Sequence, residues 1–321
     1  MLVSWLLRFC PSHREHATGT LFQIGDIASY NLGVKLRIPS GLADICRDTP
    51  EHAAWLDRLP DVLRRLEHRW ELTPDTPLHG EEPSCSYVAA MRSANGTPAV
   101  LKIAMPHMEG EHEIDGLRFW NGDPTVRLLT ADDDLGAMLL ERCNPGTPLR
   151  TLPEHDQDLV ISEMLHRLWR SPETPHPFRP LSTLTEYWRN ETLEHIDQWP
   201  DVGLVREGLH LFEELPRNAT GEVLLATDLH AGNVVRAERE PWLVIDPKPF
   251  VGDPAYDATQ HLFNCRERLR LDPDRTIRGF ADLAGIEHER VRLWMFARAA
   301  AEPRNDWSNS DLVLLARSIA P

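Results

Sequence analysis

Between 224 and 257 the chain reads LLATDLHAGNVVRAEREPWLVIDPKPFVGDPAYD, and this stretch restricts the possible folds more than any other. Three short apolar runs, at 223–226, 234–237 and 242–245, read as strands, each bounded by turn residues. Polar groups sit at the strand ends in the pattern Asp228-x4-Asn233-x12-Asp246. A hairpin turning at 238–241 folds Asp246 back beside Asn233. Three hard oxygen groups then converge on one point.

Phosphoryl transfer needs such a convergence. Mg²⁺ takes oxygen ligands from one or two protein groups plus substrate phosphates. A separate carboxylate orients the attacking hydroxyl and accepts its proton. The protein-kinase order is a catalytic Asp, a metal-binding Asn in D-x4-N spacing, then a second metal-binding Asp. Asp228, Asn233 and Asp246 fit those roles in turn. The alternative is a loop Asp, a turn Asn and a strand-end Asp with no shared task. Strands on both sides, with Asp246 at the far end of the hairpin, favour the catalytic reading.

A second chemical signal lies upstream. Lys102 interrupts the apolar run 99–104, and a buried ammonium is costly unless paired. The expected partner is Glu113, on a helix predicted over 109–120, where Glu113, Leu117 and Trp120 share one face. In kinases such a Lys holds the α- and β-phosphates and is positioned by a helix Glu. A solvent-facing Lys on an edge strand is the competing reading. Before this strand, the segment 80–86 (GEEPSCS) occupies the place of a nucleotide-covering loop, with amides near Ser84 and Ser86 as candidate phosphate donors. It lacks G-x-G-x-x-G, and a plain surface turn is an even alternative.

The residues TDLHAGN (227–233), EPWLVIDPKPFVGDPAYD (240–257), LKIAMP (101–106) and LLERCNPG (139–146) carry a resemblance. The chain resembles the aminoglycoside phosphotransferases, and within them the streptomycin 6-phosphotransferase and hydroxyurea kinase branch. The likeness runs from about residue 41 to the C-terminus and is most specific over 224–265. It implies an α+β, bilobal protein-kinase-like fold, with a small antiparallel-sheet lobe and a larger, mostly helical lobe. It implies ATP as co-substrate, Mg²⁺ as cofactor, and the 6-hydroxyl of a streptomycin-type aminoglycoside as acceptor. Hydroxyurea is the alternative acceptor. The backbone from Glu141 to Cys143 is implied to face the adenine. Asp253 and Asp257 follow the metal Asp, and one of them is expected to hydrogen-bond the catalytic loop. His230 reads equally as a loop brace or a structural histidine. The family's loop usually opens His-Gly-Asp, whereas this chain has Ala226-Thr227-Asp228, a departure that bears on loop rigidity more than on chemistry.

Composition narrows the partners. The net charge of −16 disfavours nucleic acid and anionic membranes, which reward Lys and Arg, and suits a cationic small molecule. Five cysteines lie far apart without C-x-x-C, as expected of a reduced cytoplasmic protein. The first ten residues are apolar but broken by Arg8, and read as neither a secretion signal nor a membrane span. The chain has no G-x-x-x-x-G-K-[ST], G-x-S-x-G or H-E-x-x-H motif, which disfavours Walker-type NTPases, α/β-hydrolases and zinc proteases.

At 321 residues, two lobes around a cleft are expected. Residues 1–40 show little periodicity and lie outside the resemblance. A nucleotide-binding lobe is assigned to 41–143, with a helical preface of two helices at 50–56 and 59–70. Asn95-Gly96 marks a hairpin between strands at 88–92 and 98–104. Two further strands are expected at 126–129 and 137–140. Pro145-Gly146 closes this lobe, and 144–321 forms a catalytic and substrate-binding lobe, with helices at 156–170, 184–199, 202–215, 255–270, 276–284 and 289–301. Two other functions compete with antibiotic phosphorylation: a metabolic small-molecule kinase, and a nucleotide-binding regulator without catalysis. The intact set Lys102, Glu113, Asp228, Asn233 and Asp246 weighs against the regulator.

Overall fold

The computed structural model describes residues 38–47, 49–75, 85–304 and 310–321. Ser84, most of the segment before the first long strand, and all but three of residues 1–40 lie outside them. The chain divides into two compact units, one of residues 1–107 with 132–137, the other of 108–131 with 138–321.

In the first unit, α1 (Ser40–Ile45) precedes α2 (Pro50–Arg69). Thr49 caps α2, its hydroxyl accepting from the His52 amide at 3.2 Å. The two helices expected here are one, and it runs straight through Pro60. An internal proline costs a helix about 3 kcal/mol. The buried stripe Trp55, Leu59, Leu63 and Leu66 continues across it, and that packing outweighs the lost hydrogen bond. After the short β1 (Thr73–Pro74), β2 (Ser86–Arg92) and β3 (Pro98–Ala104) pair antiparallel around the Asn95-Gly96 turn, with Val88 opposite Lys102. Gly96 has φ +82°, the conformation for which the turn selects glycine. The strands β4 (Leu128–Asp132) and β5 (Ala137–Glu141), of which only Asp132 and Ala137 fall in the first unit, complete a five-stranded sheet. β4 lies two to three residues later than expected, whereas β5 begins where expected and runs one residue further.

The second unit opens with α3 (Glu113–Trp120), shorter than the helix expected from 109, because 108–110 forms a separate 3-10 turn. Then come α4 (Glu154–Leu168), α5 (Leu181–Glu194) and α6 (Val202–Arg217). Four three-residue strands follow: β6 (Val223–Leu225), β7 (Val234–Arg236), β8 (Trp242–Val244) and β9 (Phe250–Gly252). β7 pairs with β8, as the hairpin at 238–241 predicts, and β6 pairs with β9, which the sequence pattern did not reveal. The helix expected over 255–270 is two, α7 (Pro254–Asn264) and α8 (Arg266–Leu271). They lead to α9 (Pro273–Ala284), α10 (His288–Ala301) and α11 (Ser310–Ser318).

α7 is the spine of this unit, its residues buried from Ala255 to Phe263. α10 and α6 approach each other at Gly208, where a Cβ would come within 2.8 Å of the Ala301 side chain. On the α4 side, His261 bonds Asp158 at 2.7 Å, and Arg268 donates to both Asp158 oxygens and to Cys265 Sγ. Asp158, His261 and Cys265 are close enough to hold a metal. The Arg268 guanidinium already supplies the positive charge there. Burial works against an imidazolium at His261, but the Asp158 and Cys265 contacts raise its pKa to about 9.

That pairing predicts a pH dependence of stability. A histidine raised from 6.5 to about 9, at 1.36 kcal/mol for each pKa unit, contributes about 3 kcal/mol. The contribution is complete below pH 6.5 and is lost as pH rises towards 9. Urea unfolding of wild type and His261→Gln is therefore expected to differ most at pH 6 and least above pH 9. An equal difference at both ends would mean that His261 is neutral in the folded chain. No helix among the described residues is long and apolar enough to cross a membrane.

Candidate active site

The β7–β8 ladder does what the spacing predicts. Val234 opposes Val244, and the Ile245 amide donates to the Asn233 carbonyl at 2.9 Å. Asn233 and Asp246 therefore flank one end of the ladder. The Asn233 side-chain nitrogen donates to the Asp228 carbonyl at 3.0 Å and to its Oδ2 at 3.3 Å. Asp228, Asn233 and Asp246 are thus brought to one place.

Two strained residues shape the site. Asp246 has φ +54° and Thr227 has φ +46°. An Asp tolerates the left-handed region, but a β-branched Thr there is an outlier that its surroundings must hold. Thr227 Oγ1 donates to the Lys248 carbonyl at 2.6 Å, and the Lys248 amide donates to the Ala226 carbonyl at 2.8 Å. The Ala226 and Thr227 amides donate to the two oxygens of Asp257 at 3.0 and 2.7 Å. Trp169 Nε1 adds a third donor to Asp257 at 3.1 Å. Burial pushes the Asp257 carboxyl up to about 6, while these donors favour its charged form.

Asp257 is therefore the residue of the GDPAYD run that braces the loop. Asp253 has another task. It caps α7 through the Ala255 amide at 3.0 Å and takes Arg290 and Trp294 from α10 at 2.6 and 2.7 Å. His230 Nδ1 accepts from the Gly232 amide at 3.0 Å, and its Nε2 lies 3.9 Å from Asp228 Oδ1. Burial lowers the His230 pKa. A neutral imidazole accepting from the loop backbone makes His230 a loop brace. Burial likewise raises the Asp228 pKa, against the pull of His230 and Lys248.

Lys248 escaped the sequence reading. Its ammonium is paired with Asp246 Oδ1. Burial opposes its charge, but Asp246, Glu113 and Asp228 together hold its pKa above the ordinary lysine value. Glu113, at the start of α3, is buried and so belongs electrostatically to this site. Lys102 is buried in β3 of the first unit, which excludes a solvent-facing lysine. Ser86 is a buried strand residue opposite Ala104, and not part of a loop. The Glu141 carboxylate is held by Arg239 at 3.0 Å and by the Arg127 amide, and the Glu141 amide donates to the Arg127 carbonyl at 2.9 Å. Burial pushes the nearby Cys143 thiol up to about 12. Glu302, whose place near the C-terminus suggests a solvated residue, is buried beneath Arg298.

Comparison with known proteins gives this geometry a family. Residues 69–306 match the model of the aminoglycoside/hydroxyurea antibiotic resistance kinases. A streptomycin 6-kinase of Streptomyces griseus is 35% identical over 275 residues, covering 82% of this chain and 88% of that protein. The chain belongs to this kinase family. A hydroxyurea phosphotransferase of Kitasatospora aureofaciens is 30% identical over 298 residues, covering 90% of this chain and 86% of that one. Among solved structures, the choline kinase LicA of Streptococcus pneumoniae superposes with a TM-score of 0.55 at 12% identity, over 80% of this chain and 98% of its own. A choline kinase of Cryptosporidium parvum gives 0.51 at 12%, over 87% and 92%. At those identities the likeness shows the fold, which is the α+β protein-kinase-like one.

For this resistance-family kinase, the Ala226-Thr227-Asp228 departure now has a physical reading. Thr227 stands where the family's glycine would enter the left-handed region without strain. Its hydroxyl bond to Lys248 and the clamp of Asp257 hold it there instead.

Proposed function

We propose that this kinase transfers the γ-phosphoryl group of ATP to the 6-hydroxyl of a streptomycin-type aminoglycoside, inactivating it in the cytoplasm. The observation that carries this reading is the joining of Asp228, Asn233 and Asp246 in one braced loop and hairpin, in a chain 35% identical to a streptomycin 6-kinase. Asp228 orients the acceptor hydroxyl and takes its proton. Asn233 and Asp246 would hold Mg²⁺. The Asn233 nitrogen is engaged by Asp228, which turns its oxygen outward as a ligand, and Asp246 adds a carboxylate, a donor set that fits a hard cation. When bound, Mg²⁺ supplies charge neutralisation on the phosphates. Lys248 orients the Asp246 carboxylate, and Asp257, His230 and Thr227 hold the loop. Lys102 is the proposed cation for the α- and β-phosphates, in a nucleotide lobe of 41–143, with acceptor binding assigned to 144–321.

Hydroxyurea is a second reading, favoured by the 30% identity to its phosphotransferase. Coupled ADP release separates the two. Streptomycin is expected to give the higher kcat/KM, and excess EDTA is expected to stop turnover until Mg²⁺ is restored. Faster turnover of hydroxyurea would reassign the acceptor. EDTA-insensitive turnover would remove the metal from the mechanism.

A further inference from the structure

α7 presents two residues to the 227–233 loop. Asp257 braces its backbone; Gln260, one turn later, reaches the Asp228 carboxylate itself. Gln260 Nε2 donates to Asp228 Oδ1 at 2.6 Å, and Gln260 Oε1 accepts from Arg298 Nη2 at 2.8 Å. The amide cannot be reversed: a guanidinium only donates, so oxygen must face Arg298 and nitrogen must face Asp228. Arg298 is itself fixed. Its Nη1 donates to Thr259 Oγ1 at 2.6 Å and its Nε to Glu302 at 2.7 Å. Its guanidinium lies 5.0 Å from the Tyr256 ring and 5.1 Å from the Phe263 ring. Gln260, Arg298 and Glu302 are all buried.

We propose that Gln260 is a positioning residue for phosphoryl transfer, holding the Asp228 carboxylate through Oδ1 with Arg298 as its anchor. The other oxygen, Oδ2, which Asn233 also touches, is then the one that receives the acceptor proton. As that proton leaves, the acceptor oxygen forms its bond to the γ-phosphorus, and the bond to the β-phosphate oxygen breaks to release ADP. The proposal rests on Asp228 being the base, and deepens that assignment. Around Asp228 stand His230, Lys248, Asp246 and Arg298, but among the described residues only Gln260 donates directly to Oδ1.

The sign of one substitution separates positioning from packing. Gln260→Glu keeps size and shape, so a packing role makes it the mildest change. Against Asp228 it replaces a donor with an acceptor, so the positioning role makes it harsher than Gln260→Met. ADP release with streptomycin and with hydroxyurea is the readout. Misplacing a catalytic group by about 1 Å costs on the order of 100-fold, so kcat is expected to fall about tenfold in Gln260→Met and about 100-fold in Gln260→Glu, with KM for Mg·ATP changed by less than about twofold. Wild-type kcat in Gln260→Glu, beside an inactive Asp228→Asn, would overturn the proposal. Wild-type kcat in Asp228→Asn would instead overturn the base assignment and the positioning with it. If Gln260→Glu does not fold, Gln260→Met carries the same test. A double-mutant cycle of Gln260→Met with Asp228→Ala, which removes the acceptor oxygen, on the urea midpoint reads the bond without any acceptor substrate. Coupled effects are expected, and additive ones would overturn the proposal.

Discussion

Asp246→Ala is expected to lower kcat by about 1000-fold or more while the chain stays folded. A metal ion contributes several kcal/mol of charge stabilisation in the transition state, and each 1.36 kcal/mol is tenfold in rate. The variant also removes the partner of the buried Lys248 ammonium. Asp246→Asn therefore belongs beside it, since an amide oxygen still accepts from Lys248 but carries no charge for a cation. Both variants are expected to lose kcat, with Asp246→Ala losing more stability in urea than Asp246→Asn, which keeps an acceptor for Lys248. The Mg²⁺ concentration for half-maximal residual rate is expected to rise in both. Near-normal kcat in either variant, with any acceptor that wild type uses, would show that Asp246 is not a ligand.

Asn233 and Asp246 were legible because one hairpin joins them, so strand pairing sets their geometry, and Asp228 stands five residues before Asn233 in the same loop. The same holds for Asn95-Gly96, where turn chemistry dictates a local hairpin. What escaped depends on contacts distant in sequence. β9 is three residues, Phe250–Gly252, set between Pro249 and Asp253-Pro254, and it becomes a strand only by pairing with β6. Lys248 looks like a solvated loop lysine in Pro-Lys-Pro, until Asp246 and Glu113 close around it. Gln260 and Arg298 carry no local motif at all. Their link to Asp228 exists because α7 and α10 lie side by side, packed through Tyr256 and Trp294, whose rings stand 5.2 Å apart. The helices expected at 50–56 and 59–70 are joined as α2, because the buried stripe Trp55, Leu59, Leu63 and Leu66 runs through both.

Arg298→Met is expected to be the most destabilising substitution in the second unit. Arg298 and Glu302 form an ion pair with side chains only 3% and 4% exposed. Removing one partner of a buried pair leaves an uncompensated charge, at a cost of about 3–5 kcal/mol. Here the loss extends further, because the guanidinium also bonds Thr259 and Gln260 and lies against three aromatic rings. Glu302→Gln should cost less, since an amide oxygen can still accept from Arg298 and no charge is stranded on the acidic side. The double variant Arg298→Met with Glu302→Leu should be more stable than Arg298→Met alone, because no lone carboxylate remains buried. Its kcat should nevertheless stay low, since Gln260 has lost the donor that fixes its amide. Urea midpoints and kcat measured on the same preparations separate the two effects. Recovery of both together would mean that Arg298 serves the fold alone, and loss of stability without any loss of kcat would disconnect α10 from Asp228.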